Sequence, residues 1–332
     1  ETVLHMTKKF NPLRLVQLDF HGQSQRFTIT VAQPLAQVLA ANDIQDHTSV
    51  LYTQQGDDVF VFRTSHFSLY NVMQGKFHDE PWMASFCAVC NAGMSFSPVV
   101  NGRELEFYGV GFYDAMVLLA DRQTGSYWDH LTGECIYGEL EGTVLRHLST
   151  MNHSNAGQVL KLYPDAKFVI TALTPDKVQF EDFAESLRIA VEPQWFPQIL
   201  GSLDVEDARL PRFEMGLGVW TNSTARFYPF KTMHALNNIL FDEIDGQRLL
   251  VYVDPDTTNP SALFTDATSA VWRGDALQLN TGQTILNGGL FSRGESLPMN
   301  RPLQLFQRWF SFSITFPDCE VYPAYLKVRV TV

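Results

Sequence analysis

The stretch Trp82-Met83-Ala84-Ser85-Phe86-Cys87-Ala88-Val89-Cys90-Asn91-Ala92-Gly93-Met94-Ser95-Phe96 decides how this chain is read. An apolar run leads into two cysteines at C-x2-C spacing, and a second short apolar run leaves them. Asn91 and Gly93 are turn residues, so the thiols are expected on a turn rather than at the start of a helix. The pattern predicts strand, turn, strand. Two thiols on such a turn can reach one metal ion or each other.

Working outward, the same strand-and-turn grammar continues. Ser49-Val50-Leu51-Tyr52-Thr53 and Val59-Phe60-Val61-Phe62 flank the turn Gln55-Gly56-Asp57-Asp58, which predicts a hairpin. A short helix is expected within 65–73. Leu105-Glu106-Phe107-Tyr108 and Met116-Val117-Leu118-Leu119-Ala120 read as strands, followed by the polar turn Asp121-Arg122-Gln123-Thr124-Gly125. Ser126-Tyr127-Trp128, Cys135-Ile136-Tyr137 and Thr143-Val144-Leu145 read as short strands, and 155–162 as a helix. Ahead of all this, residues 15–20, 21–24 and 26–31 predict strand, turn, strand, with a helix over 34–41 whose first turn holds Pro34.

The final third echoes the middle. Leu162-Tyr163-Pro164-Asp165 recurs as Thr315-Phe316-Pro317-Asp318, and 59–71 is echoed by 225–238. Where the first copy carries Cys87 and Cys90, the second carries Asp254-Pro255-Asp256-Thr257. The expected fold is therefore mainly β with short helices, a β-rich α+β chain of two tandem related β domains, the second degenerate. The expected boundaries are a small β-β-α unit over 1–45, a first repeat over 46–172, a connector over 173–212 with one or two helical turns, and a second repeat over 213–332.

Composition bounds the function. Of 332 residues, 45% are hydrophobic and 18% charged, a globular balance, and the formal net charge of -12 disfavours nucleic acid as a partner. The chain shows no uninterrupted apolar stretch of roughly 18 residues, the length needed to span a bilayer. It begins at Glu1, so a leader or membrane anchor removed from upstream is expected. Four cysteines do not make a disulfide framework. No G-x-G-x-x-G, G-x4-G-K-[ST], H-E-x-x-H or G-x-S-x-G occurs, so no nucleotide cofactor is expected, and zincin or α/β-hydrolase chemistry is disfavoured.

The chemistry concentrates on the C-x2-C turn. Thiolates at this spacing suit zinc or copper(I), but a closed zinc site wants two further ligands. His130 and Cys135, on one hairpin, are the best-spaced second pair, with His66, His78 and His153 as looser candidates. The same turn suits a dithiol redox pair, one thiol attacking and the other resolving, or a plain disulfide. Asp121, Arg122 and Trp128 form the next cluster, either lining a ligand site or fixing a turn around a buried Trp128. His147, His234 and Cys319 read as ordinary surface or core residues.

The motifs also carry a resemblance. Cys87-Ala88-Val89-Cys90-Asn91-Ala92-Gly93 with Asn101-Gly102-Arg103-Glu104-Leu105-Glu106-Phe107 is similar to one signature, and Asp121-Arg122-Gln123-Thr124-Gly125-Ser126-Tyr127-Trp128 with Leu131-Thr132-Gly133-Glu134 to a second. Together they resemble the uncharacterised prokaryotic "domain of unknown function" family numbered 3179, closely over about 49–170 and loosely over 213–323. Ala88 stands where that family usually has Pro, His130 where it has Gln or a similar polar residue, and Cys135 where it has a small one. The resemblance implies fold and boundaries and an exported or membrane-anchored, extracytoplasmic protein; it implies no activity. Three functions follow as expectations: a metal- or thiol-binding protein, a thiol-disulfide oxidoreductase on the same cysteines, and a non-catalytic interaction module with an unknown protein partner.

Overall fold

A computed structural model describes residues 9–17, 27–29, 32–170 and 197–323. The chain is mainly β with short helices. It divides into two units, one formed by residues 5–156 and 165–206, the other by 157–164 and 207–332.

In the first unit the hairpin Ser49–Gln55 and Asp58–Arg63 is flanked by Asn152–Asn155 on one side. On the other lies Lys167–Val169, which runs parallel to Asp58–Arg63. A second sheet runs His147–Thr150, Ala92–Phe96, Glu80–Cys87, Val72–Phe77, Phe27–Ile29. A third runs Val16–Gln17, Phe107–Tyr113, Met116–Asp121, Tyr127–Asp129, Cys135–Tyr137. The helix Thr64–Tyr70 joins the first sheet to the second and ends at Asn71, whose left-handed φ of 55° stops it.

The middle sheet is covered on both faces, and this explains why Glu80–Cys87 is apolar at nearly every position. Trp82, Ala84 and Phe86 join Leu51, Phe60, Phe62 and Phe67 in one core cluster. The Phe62 and Trp82 rings stack at 5.5 Å and Phe60 and Phe77 at 3.6 Å. The alternate residues face the third sheet. Gln74, opposite Met83 in register, donates to the Leu105 carbonyl at 2.6 Å and accepts from Phe107 N at 3.0 Å. Ser85 does the equivalent further along. Period-2 alternation thus sends one half of a single strand into a hydrocarbon core and the other half, ending in Cys87, toward the hairpin that carries His130.

The second unit repeats this order of elements. Met215–Trp220 and Ala225–Pro229 form a hairpin, the helix Phe230–Ala235 follows, and Ile239–Ile244, Gln247–Val253 and Pro260–Phe264 make a second sheet. A five-strand meander covers 270–297. Leu303–Arg308, the helix Trp309–Thr315 and Glu320–Val321 close the unit, the last strand pairing parallel with Ala225–Pro229. Leu249 and Val251 join one core cluster, whereas Leu250 and Tyr252 join another beneath the meander. Gly218 is needed by space: a Cβ there would lie 2.5 Å from Phe312 Cε2.

Some expectations change here. Residues 143–145 form only an isolated bridge, Glu134 to Val144, because Gly138 and Gly142 turn the chain too tightly for a ladder to build. The described strands of the opening stretch make no sheet of their own; Val16–Gln17, Phe27–Ile29 and Ala32–Pro34 add edges to three different sheets of the first unit. The turn expected at 21–24, parts of its flanking strands, and residues 173–196 of the connector lie outside the described residues. Pro197–Leu200 is helical, within the connector.

Candidate functional site: a buried cysteine pair and histidine

Cys87 ends its strand and Cys90 sits in the four-residue turn that reverses the chain into Ala92–Phe96. Asn91 takes the left-handed conformation that completes the reversal, with φ of 58°. The turn brings the two Cα atoms to 5.3 Å, and Cys87 and Cys90 form a disulfide. The Cys90 N–H donates to Cys87 Sγ at 3.3 Å. His153, from the neighbouring sheet, meets the Asn91 carbonyl with its Nε2 at 3.2 Å and so pins the far end of the turn.

His130 arrives from 40 residues away. It follows Tyr127–Asp129, and alternation puts it on the same face as the buried Trp128. The Asp129 carboxylate accepts from Leu131 N and Thr132 N, both at 2.8 Å, which folds the backbone into a tight turn around His130. The Ser85 hydroxyl donates to the His130 carbonyl at 2.9 Å, tying this turn to the cysteine strand. The His130 Nε2 then lies 3.8 Å from Cys90 Sγ. Cys87, Cys90 and His130 are each 0% exposed, and their ligand atoms fall within 4.8 Å of one another.

Burial pushes the His130 imidazole down to about 4, with Asp129 opposing the shift, so the ring is neutral at physiological pH. Its Nδ1 has no hydrogen-bond partner among the described residues. The protein thus anchors the backbone of His130 firmly and aims one nitrogen at the sulfurs. Soft sulfur and a neutral imidazole nitrogen are a donor set for a thiophilic cation once the disulfide is reduced.

The remaining candidates go elsewhere. Cross-strand register sets Cys135 opposite Trp128, two residues short of His130, so it does not join the cluster. Its Sγ instead donates to the Tyr137 carbonyl at 3.4 Å, and burial raises the thiol to about 11. Asp121 ends its strand buried, whereas Arg122, just past the strand, is exposed, and the two engage different partners. Asp121 is fully buried and accepts from Thr124 N at 2.6 Å, Thr124 Oγ1 at 2.8 Å and Trp128 Nε1 at 3.0 Å, which makes it the lock of the 121–125 turn. Arg122 lies over the Tyr108 ring at 5.0 Å and 3.8 Å from Glu106. His78 pairs with Asp58 at 2.6 Å, and His66 sits on the helix Thr64–Tyr70; neither joins the cluster. Ser85 is the positioning residue that sequence reading missed. Its only signal is a hydroxyl at an otherwise apolar position of a strand buried on both faces.

The second unit resolves the corresponding turn differently. Asp254 follows Gln247–Val253 and accepts from Asp256 N at 3.0 Å, Thr257 N at 2.9 Å and Thr257 Oγ1 at 3.1 Å. Gln158 donates to its other oxygen at 3.0 Å. A carboxylate here holds a strand-to-strand turn that in the first unit is closed by sulfur.

A family model described as "Protein of unknown function (DUF3179)" matches residues 31–318, through both units. The chain belongs to this family. No curated protein and no solved structure matches it. Membership of DUF3179 assigns no chemistry to the residues around Cys87 and Asp121.

Proposed function

We propose that this protein binds one thiophilic metal ion through reduced Cys87, reduced Cys90 and His130, and that the Cys87–Cys90 disulfide is its closed, metal-free form. The observation that carries this reading is the 3.8 Å between Cys90 Sγ and His130 Nε2 inside a fully buried cluster. A sulfur at ~2.3 Å and a nitrogen at ~2.0 Å from a shared ion lie ~3.6 Å apart, so little movement of the histidine is needed. Two-electron reduction by a dithiol, which leaves as its own disulfide, would free both sulfurs, and the hydrogen bonds that hold the His130 turn involve neither of them.

In most metal sites the second histidine nitrogen donates to a carboxylate or carbonyl. His130 Nδ1 makes no such bond among the described residues, so the thiolates should supply most of the affinity. Replacing either cysteine should abolish binding, and His130→Ala should weaken it by at least about tenfold, the loss ordinarily seen for mere outer-shell partners. The test is elemental analysis and a thiol count on protein purified without chelator, before and after reduction and reloading. One equivalent of zinc or copper bound by the reduced protein, and none by the oxidised, supports the reading. No metal in either form defeats it.

A second reading has its own observation. The Cys90 N–H on Cys87 Sγ is the contact that would stabilise a Cys87 thiolate, as a dithiol oxidoreductase requires. Full burial of both sulfurs opposes attack on a protein substrate, and for that reason the metal reading comes first. Alkylation rate against pH separates them, since a redox pair shows a reactive thiol of lowered pKa.

The matching order of elements in the two units supports a tandem duplication, with the Asp254 turn replacing the cysteine turn in the diverged copy. We propose an extracytoplasmic location, which a Cys87–Cys90 disulfide supports because such bonds persist in oxidising compartments. Fractionation of cells expressing the full-length gene tests that assignment.

A further inference from the structure

We propose that the ion taken by this site is copper(I), held by three ligands, in preference to zinc(II); the proposal rests on the reading of Cys87, Cys90 and His130 as ligands. Zinc(II) takes four ligands, and where a protein supplies three, water completes the set. Among the described residues no fourth Cys, His, Asp or Glu atom joins the three. Buried Glu134 does not join the group, and two further carboxylates of these strands are committed to other bonds. Asp121 holds Thr124 and Trp128, and Asp129 holds Leu131 N and Thr132 N.

Water is equally poorly provided for. Ala88, Val89 and Ala92, in and beside the turn that holds the sulfurs, are all buried. The nearby Ser85 hydroxyl is already donated to the His130 carbonyl. A zinc-bound water is strongly polarised and needs an acceptor for its protons. Copper(I) needs neither the fourth ligand nor the water, because this soft ion is satisfied by two or three sulfur or imidazole donors. Charge counting runs the other way: zinc(II) with two thiolates is neutral, whereas copper(I) leaves one negative charge buried. Coordination number outweighs it, since the described residues offer zinc(II) only three ligands, all of them buried.

The experiment uses the full chain, reduced and metal-free. Copper(I) is titrated against a chromogenic copper(I) chelator, and zinc(II) and cobalt(II) are titrated separately. X-ray absorption at the copper edge then gives the ligand number on wild-type protein, independent of whether any variant folds. The expected result is one copper(I) per chain with two sulfurs and one nitrogen, zinc(II) held at least a hundredfold less tightly, and no intense tetrahedral cobalt(II) bands. His130→Ala should lower copper(I) affinity at least about tenfold and leave a two-sulfur spectrum. Zinc(II) binding as tight as copper(I), tetrahedral cobalt(II) bands, or a four-ligand copper spectrum overturns the copper proposal while leaving the three-residue site intact. Failure of every metal to bind overturns the site itself.

Discussion

Reducing the Cys87–Cys90 bond should cost the first unit only ~2 kcal/mol, leaving it folded. The bond closes a loop of sequence separation 3. In the chain-entropy model a loop of about four residues removes ~6 cal/mol/K from the unfolded chain, which is ~2 kcal/mol at room temperature, against ~3 kcal/mol for a loop of about 15 residues. Native packing adds little to that loss, because both sulfurs stay buried as thiols and Cys90 can donate its S–H toward His130 Nε2. The perturbation is a phosphine reductant, and the assay is hydrogen exchange by mass spectrometry across a urea series, which resolves the two units that need not unfold together. The strands Glu80–Cys87 and Ala92–Phe96 should lose ~2 kcal/mol of protection, with an unchanged denaturant slope for the first unit. A loss above ~4 kcal/mol, or disappearance of cooperative unfolding in that unit, would refute the reasoning. The disulfide would then be a structural staple, and a reduced metal site would have no folded host.

Three further outcomes follow from the same geometry. Asp121→Ala should destabilise the first unit by ~3 kcal/mol, since it strands the Thr124 and Trp128 donors in a buried place. It should leave copper or zinc stoichiometry unchanged, and altered stoichiometry would return Asp121 to the site. Gly133→Ala should cost ~2–4 kcal/mol by urea unfolding. Gly133 has φ of 70° and a Cβ there would lie 2.7 Å from Phe96 Cε1, so an unaffected midpoint would show that the His130 turn is freer than its packing implies. His147 is half-buried against Phe96, and desolvation lowers its pKa from 6.5. The unfolded chain therefore binds its proton first, and the stability present above about pH 6.5 should fall on acidification, with a shallower slope in His147→Gln.

Much of the fold was legible in sequence because it is built from local hairpins. Alternation in 49–63 and the turn at Gly56, the apolar run into Cys87, and the break at Asn91 and Gly93 are signals confined to a few neighbouring residues. The C-x2-C turn belongs to that class, but the sequence left open whether its two sulfurs meet a metal or each other. The sequence also marked Asp121 and Trp128, but not what they do. A carboxylate in a strand reads alike whether it faces a ligand or an indole N–H, and only the packed third sheet distinguishes them.

Tertiary structure decided the site. His130 and Cys135 are equally plausible as ligands along the chain, five residues apart. Register brings His130 to the sulfurs and puts Cys135 beside Trp128. Ser85 acquires its role only because the strand ending in Cys87 is sandwiched between two sheets, so that its outward face meets the His130 turn. The parallel pairings of Lys167–Val169 and Glu320–Val321 also escape local reading, since each joins strands about 100 residues apart. Sequence fixes which backbone turns and which faces are apolar, because those preferences are local. Which faces meet depends on the summed burial of many side chains, and that sum sets the separation of Cys90 from His130.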